Sequence, residues 1–288
     1  REIRFAIAPT PGIPGNPAFD GRLASDGETI EGTFRQSGAE LPFVLERGAD
    51  RVERAQAALD GFSEVAEQAR EAFNAPGLAI SVIVGGRVVF SEGYGYRDLE
   101  NELPMTPDTL FAIGSTTKAM TATLLGMLVD EGRLEWDAPV QHYLPGFAVE
   151  DPVTSTRITV RDLLTHRTGL PRHDLLWYND NETSREEMIA RIPHLPLAEG
   201  LRETFIYNNL MFMTAGHVAE ELTGESWEQL VRERLFEPLG MQRSNFSVDT
   251  SREDDNHALP YRENDDGELE RIPFRAIDMI GPAGSVNS

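Results

Sequence analysis

Short apolar runs broken by Pro and Gly open the chain. Arg4-Phe-Ala-Ile-Ala8, Phe19-Asp-Gly-Arg-Leu23, Thr29-Ile-Glu-Gly-Thr-Phe34 and Leu41-Pro-Phe-Val-Leu45 read as strands, with turn chemistry such as Pro11-Gly-Ile-Pro-Gly15 between them. The pattern predicts a β-rich segment over residues 1–48, and no residue in it suggests chemistry. Near Asp50 the period changes. Val52, Ala55, Leu59, Phe62, Val65, Ala69 and Phe73 recur at spacings of three and four, which predicts one long amphipathic helix ended by Pro76-Gly77. Leu78–Val84 and Arg87–Phe90 then flank Gly85-Gly86, a two-residue hairpin signal.

Residues 115–131 give the next strong helix. Met120, Leu124, Leu125, Met127, Leu128 and Val129 fall on more than one face, so this helix is expected to be largely buried, with Glu131-Gly132 closing it. Shorter helical segments are expected at 158–165, 184–191, 209–223 and 226–236, with Gly224 and Gly240 as stops. Residues 249–271 are acidic and polar and read as an exposed loop or lid. There is no run of 18 apolar residues, so no helix is expected to span a membrane.

Composition narrows the chemistry. The 288 residues are 40% hydrophobic, enough for one or two domains with a sizeable core. Without cysteine, thiolate catalysis, disulfides and thiolate metal sites are excluded. A net charge of −22 disfavours phosphate backbones, so a nucleic-acid partner is not expected. The expected partner is a small-molecule or peptide substrate, and nothing calls for a cofactor. The 26 basic residues are 25 arginines and one lysine, Lys118. A position that keeps Lys against that bias suits a role Arg cannot fill, since a desolvated Lys can lose its proton and Arg effectively cannot.

That lysine stands in Ser115-Thr-Thr-Lys118, at the start of the buried helix. Residues three apart share a helical face, so the two side chains can meet. A lysine at a helix N-terminus, in apolar surroundings, has its neutral form favoured and can accept the serine proton. The serine N–H faces out of the helix N-terminus, toward a developing oxyanion. The competing reading is that Ser115 only caps the helix. A second candidate is Tyr207-Asn208-Asn209. Tyr207 could relay a proton and the amide of Asn209 could hold both a lysine and a substrate carbonyl. Against that, Tyr207 could be a core residue and either Asn a helix cap. A Ser-His-Asp arrangement with His166 or His173-Asp174 lacks the Gly-x-Ser-x-Gly elbow. A metal site from His166, His173, Asp174 and His194 has no recognised ligand spacing, so no metal is expected.

The chain resembles the class C β-lactamase-like serine hydrolases, which include penicillin-binding D-peptidases, class C β-lactamases and related esterases. The resemblance rests, in order, on Phe111-Ala-Ile-Gly-Ser115-Thr-Thr-Lys118, Glu131-Gly-Arg-Leu134, Leu163-Leu-Thr-His-Arg-Thr-Gly-Leu-Pro171, Tyr207-Asn-Asn209, Glu237-Pro-Leu-Gly-Met241 and Gly281-Pro-Ala-Gly284. It implies an α/β fold of the α+β type over residues 49–288, an antiparallel sheet flanked by helices plus a helical subdomain. It implies acylation of Ser115 and hydrolysis of the acyl-enzyme, with Lys118 and Tyr207 sharing the proton work and Asn209 orienting Lys118 and substrate. An ester or a D-amino-acid peptide is favoured over a β-lactam, and a non-catalytic binding member of the fold is the alternative. His166 is expected to order a turn at a helix end. A periplasmic or extracellular location is implied by the resemblance alone. The family's third motif, Lys-Thr-Gly or His-x-Gly, has no match after Tyr207. The resemblance therefore implies a fold incomplete at its C-terminus, to be completed by a complementary C-terminal chain or segment.

Overall fold

A computed structural model describes residues 2–6, 18–25, 27–46, 51–178, 180 and 182–288. It divides into two compact units, Arg1–Phe62 with Ser81–Ser91, and Ser63–Ile80 with Glu92–Ser288. In the first, β1 (Glu2–Ala6), β2 (Ala18–Leu23), β3 (Thr29–Gln36) and β4 (Ala39–Glu46) form an antiparallel sheet in chain order. Strand alternation sorts its faces. Phe19 pairs with Phe34, their ring centroids 4.7 Å apart, and Phe43 meets Phe19 edge-on at 5.5 Å. The opposite face carries an exposed ladder in which Asp20 takes Arg4 at 3.0 Å and Arg35 at 3.2 Å, and Glu40 takes Arg35 at 2.7 Å. The expected turn at 11–15 and the end of the first expected strand lie outside the described residues.

The single long helix is instead two, α1 (Arg51–Ala58) and α2 (Phe62–Ala72). Gly61 breaks it at φ +74, a conformation other residues adopt at a cost. The apolar spacing continues across the break, so periodicity alone could not reveal it. Nor is the stripe a buried face: α1 buries no residue, α2 buries Ala66 alone, and Phe73 is 84% exposed. β5 (Gly77–Val84) and β6 (Arg87–Asp98) meet as expected at Gly85-Gly86, both with positive φ, and β7 (Leu103–Pro104) adds a short third strand.

In the second unit a 3₁₀ turn, Gly114–Thr116, leads into α3 (Thr117–Asp130). Then come α4 (Pro152–Arg157), α5 (Val160–Thr165), α6 (Arg185–Arg191), α7 (Asn209–Thr223) and α8 (Trp227–Val231), the last running into a π turn, Arg232–Phe236. Capping boxes fix two of the starts: Thr159 with Asp162 for α5, and Ser184 with Glu187 for α6. Residues 249–271 are not a plain loop. They hold most of α9 (Val248–Arg252), then β8 (Tyr261–Glu263) and β9 (Leu269–Arg271), with Asn264 Oδ1 accepting from the N–H groups of Asp266 and Glu268 in the turn between the strands. Local side-chain bonds of this kind order a polar segment without a hydrophobic stripe. Among the described residues no helix is long and apolar enough to cross a membrane.

The core of this unit is helical. Leu124, Leu125 and Leu128 of α3 are fully buried with Leu210, Met211, Met213 and Val218 of α7 and Trp227 and Leu230 of α8. Against α3 and α7 lies α10 (Gly281–Gly284). Thr121 Oγ1 donates to Pro282 O at 2.7 Å, and Val286 N–H donates to Thr117 Oγ1 at 3.2 Å. Residues 286–288 then run beside 111–113, with Ile113 N–H bonded to Val286 O and Phe111 paired both ways with Ser288.

The close approach of α10 to α7 depends on Gly216, where a Cβ would sit 2.2 Å from Pro282 Cγ. Alanine favours a helix interior by up to about 1 kcal/mol over glycine, yet overpacking of this kind costs about 1–3 kcal/mol. Gly216→Ala should therefore lower the unfolding free energy, read as a lower urea midpoint. An unchanged or higher midpoint would show that Pro282 yields freely.

Candidate active site

The turn Gly114–Thr116 presents Ser115 at the mouth of α3, where the first N–H groups have no helical acceptor. Ser115 is not the helix cap: that position is Thr116, whose side chain makes no capping bond. Ser115 Oγ instead takes Lys118 Nζ at 3.0 Å and is hydrogen-bonded directly to Tyr207 Oη. One helical turn on, Lys118 is 8% exposed. Its amine reaches three oxygens from three parts of the chain: Ser115 Oγ, Asn209 Oδ1 at 2.8 Å and Ala283 O at 2.7 Å.

The partner set dictates how this amine behaves. As an ammonium, its three donors match three acceptors. As a neutral amine it has two N–H bonds and one lone pair. Two partners are carbonyl oxygens, which can only accept, so the lone pair is left to face the hydroxyls of Ser115 and its neighbour Tyr207, which have protons to give. Burial pushes the Lys118 pKa below its ordinary 10.5, and the Arg172 charge adds to this, against the raising effects of Tyr207 and Asp174. For Tyr207 burial acts upward, but hydrogen bonds from Lys118 and Ser115 and the charges of Lys118 and Arg172 outweigh it, and its pKa falls below 10.0. The two groups are linked, since the charge of Lys118 is among the causes that lower Tyr207.

The adjacent asparagines divide the two readings made from sequence. Asn208 is the N-cap of α7, its Oδ1 accepting from Met211 N–H at 3.0 Å while its Nδ2 holds the carbonyls of Leu170 and Pro171. Asn209, the first residue of the helix, turns its amide to Lys118 and to Asp174. The two point apart because Asn208 is still extended, φ −142 and ψ 125, while Asn209 is the first helical residue.

His166 ends α5 in the left-handed region, φ +58, and is 8% exposed. Its carbonyl accepts from Ile206 N–H at 2.8 Å and its Nδ1 from Asn208 N–H at 3.1 Å, so it grips the chain on both sides of Tyr207. Its ring lies 4.5 Å from the Tyr207 ring, tilted by 31°. An Nδ1 that accepts carries no proton, and burial with the nearby Lys118 charge holds the imidazole pKa below 6.5. Among the described residues neither His166 nor His173 bonds Ser115, whose Oγ partners are Lys118 and Tyr207, so the Ser-His-Asp arrangement is not assembled. Among the described residues no three His, Asp or Glu side chains converge as metal ligands. The Ala283 carbonyl escaped sequence reasoning, because a backbone acceptor leaves no mark in residue identity.

A family model described as Beta-lactamase matches residues 62–288. The unguisins hydrolase ungD' of Aspergillus campestris is 35% identical over 199 residues, covering 66% of this chain and 37% of that protein. The unguisins hydrolase ungD of Aspergillus violaceofuscus is 32% identical over 244 residues, covering 80% and 43%. The chain thus spans about two fifths of the length of these relatives. Among solved structures, the octameric penicillin-binding protein homologue from Pyrococcus abyssi superposes with a TM-score of 0.67 at 32% identity, over 81% of this chain and 53% of that one.

The His166 contacts predict an acid-sensitive fold. Its folded-state pKa lies below the unfolded value near 6.5, so the unfolded chain takes up this proton first. The contribution is complete above about pH 6.5 and is lost as pH falls toward the folded-state pKa. Urea midpoints measured from pH 7.5 to 5 should fall less steeply in His166→Gln than in the parent. Equal slopes would remove His166 from the acid response.

Proposed function

The chain belongs to the Beta-lactamase family, and we propose that it acts as a serine hydrolase in which Ser115 is acylated by an ester, amide or peptide. The observation that carries this reading is the bonding of Lys118 to two carbonyl oxygens beside Ser115, which turns a neutral amine's lone pair toward the Ser115 and Tyr207 hydroxyls.

Ser115 Oγ attacks the substrate carbonyl as its proton passes to Lys118 Nζ or, through the direct bond, to Tyr207 Oη. The carbonyl oxygen gains the negative charge and is met by the Ser115 N–H at the helix mouth. The tetrahedral intermediate collapses with cleavage of the bond to the leaving alcohol or amine, which takes a proton from Tyr207; where Lys118 accepted the serine proton, it passes that proton on to Tyr207. Water then attacks the acyl-enzyme, gives its proton to the Lys118–Tyr207 couple, and Ser115 is regenerated as the acid leaves. Asn209 holds Lys118 through Oδ1 throughout. Ester or D-amino-acid peptide hydrolysis is favoured over β-lactam hydrolysis by analogy with the diversity of the family.

A fluorophosphonate should label the protein once, and Ser115→Ala should abolish both labelling and hydrolysis. Lys118→Arg keeps the charge but cannot accept a proton, so acylation should slow by about 10²–10⁴-fold. Labelling of Ser115→Ala at the parental rate would overturn the assignment.

A further inference from the structure

Around the four residues already described runs a second set of contacts. The Asn209 amide has two ends: Oδ1 accepts from Lys118, and Nδ2 donates to Asp174 Oδ1 at 3.3 Å. The other oxygen of Asp174 takes Arg172 Nε at 2.6 Å. The Arg172 guanidinium in turn lies 5.0 Å from the centre of the Tyr207 ring. Since Tyr207 and Lys118 both bond Ser115, the contacts close into a ring: Ser115, Lys118, Asn209, Asp174, Arg172, Tyr207.

We propose that Arg172 and Asp174 are a positioning pair, orienting the Asn209 amide and setting, through their opposed charges, how protons divide between Lys118 and Tyr207. This rests on the serine-hydrolase reading of the site. The orienting part follows from donor chemistry. A reversed Asn209 amide would turn its NH₂ toward the Lys118 amine and its oxygen toward a carboxylate, losing both bonds. The Asp174 carboxylate therefore selects the one orientation that gives Lys118 an acceptor.

The pair is anchored by the fold. Asn208 Nδ2, from the cap of α7, holds the carbonyls of Leu170 and Pro171, immediately before Arg172. His173, between the two charged residues, sits at φ +48, and its carbonyl accepts from Leu176 N–H at 3.1 Å as a 3₁₀ turn begins at Asp174. The same cap that starts the Asn209 helix thus fixes the segment that orients Asn209.

The charged and titratable groups acting at Lys118 are Tyr207, Arg172, Asp174 and His166. Arg172 disfavours a proton on Lys118 and on Tyr207, whereas Asp174 favours one on Lys118. The Arg172 and Asp174 side chains are 57% and 29% exposed, so water screens them, and they tune the couple rather than switch it.

Lys118 is the sole lysine of the sequence, which makes the test direct. Protein grown on [ε-¹³C]lysine gives one side-chain resonance, and its shift against pH reports the Lys118 proton alone. Asp174→Asn should move the midpoint down, Arg172→Gln should move it up, and the double variant should return it toward the parent. A midpoint unmoved by either substitution, or moved the same way by both, overturns the proposal. In turnover, Asp174→Ala should lower kcat about tenfold with KM nearly unchanged. A change confined to KM overturns the orienting role. Failure of the hydrolase reading is distinguishable, since the parent would then show no Ser115-dependent turnover while the Lys118 titration still answered the substitutions.

Discussion

One amine, taken out of water and given three oxygens, ties together the helical unit of this chain. A buried amine is costly unless its hydrogen bonds are remade. Lys118 remakes them with a serine one turn back, a side-chain carbonyl 91 residues on and a backbone carbonyl 165 residues on. The start of α3, the start of α7 and the segment around α10 must therefore come together to within a few tenths of an ångström. The hydrophobic core of α3, α7 and α8 supplies the force for that assembly. The polar contacts supply its precision, because a half-satisfied buried network is worse than an apolar one.

The backbone carbonyl is the most heavily supported of the three. Arg185 of α6 donates to Met279 O at 3.1 Å and Asp278 O at 3.2 Å, just upstream of α10. Its guanidinium is held by Glu220 of α7 and Glu228 of α8. Glu220 also accepts from Trp227 N–H at 3.0 Å and is paired with His217 at 2.8 Å. Burial would raise the Glu220 pKa, but His217, Arg185 and the Trp227 N–H hold it below the ordinary carboxylate value. Buried ion pairs add little net stability, while breaking one strands a charge. The value of this one lies in geometry: three helices share a cation that also grips the chain leading to Ala283.

Much of this was legible in the sequence, and the limits have physical causes. The Ser115–Lys118 contact was readable because helical geometry converts a separation of three into contact. The helix at 209–223 and the Gly85-Gly86 turn were readable from apolar period and from φ preference. The break at Gly61 was hidden, since one glycine leaves the stripe in phase. The order within 249–271 was hidden because it depends on local bonds such as those of Asn264 and on the Arg243–Asp254 pair, which pulls Asp254 down to about 2. Asp174 was noticed only as a metal or triad candidate. Its place beside Asn209 is set by a turn through a left-handed histidine, which no spacing announces.

The separation of the three oxygens bears on folding as well. Contacts distant in sequence close late, after the loop entropy between them has been met. A helix carrying Ser115 and Lys118 can form from local bonds while its amine is still hydrated and keeps its ordinary proton affinity. The desolvation that lowers the Lys118 pKa requires residues 209 and 283 to be docked against it. On the proposed mechanism, a chain lacking those contacts would hold Ser115 without its base, and reactivity would depend on the long-range contacts being made.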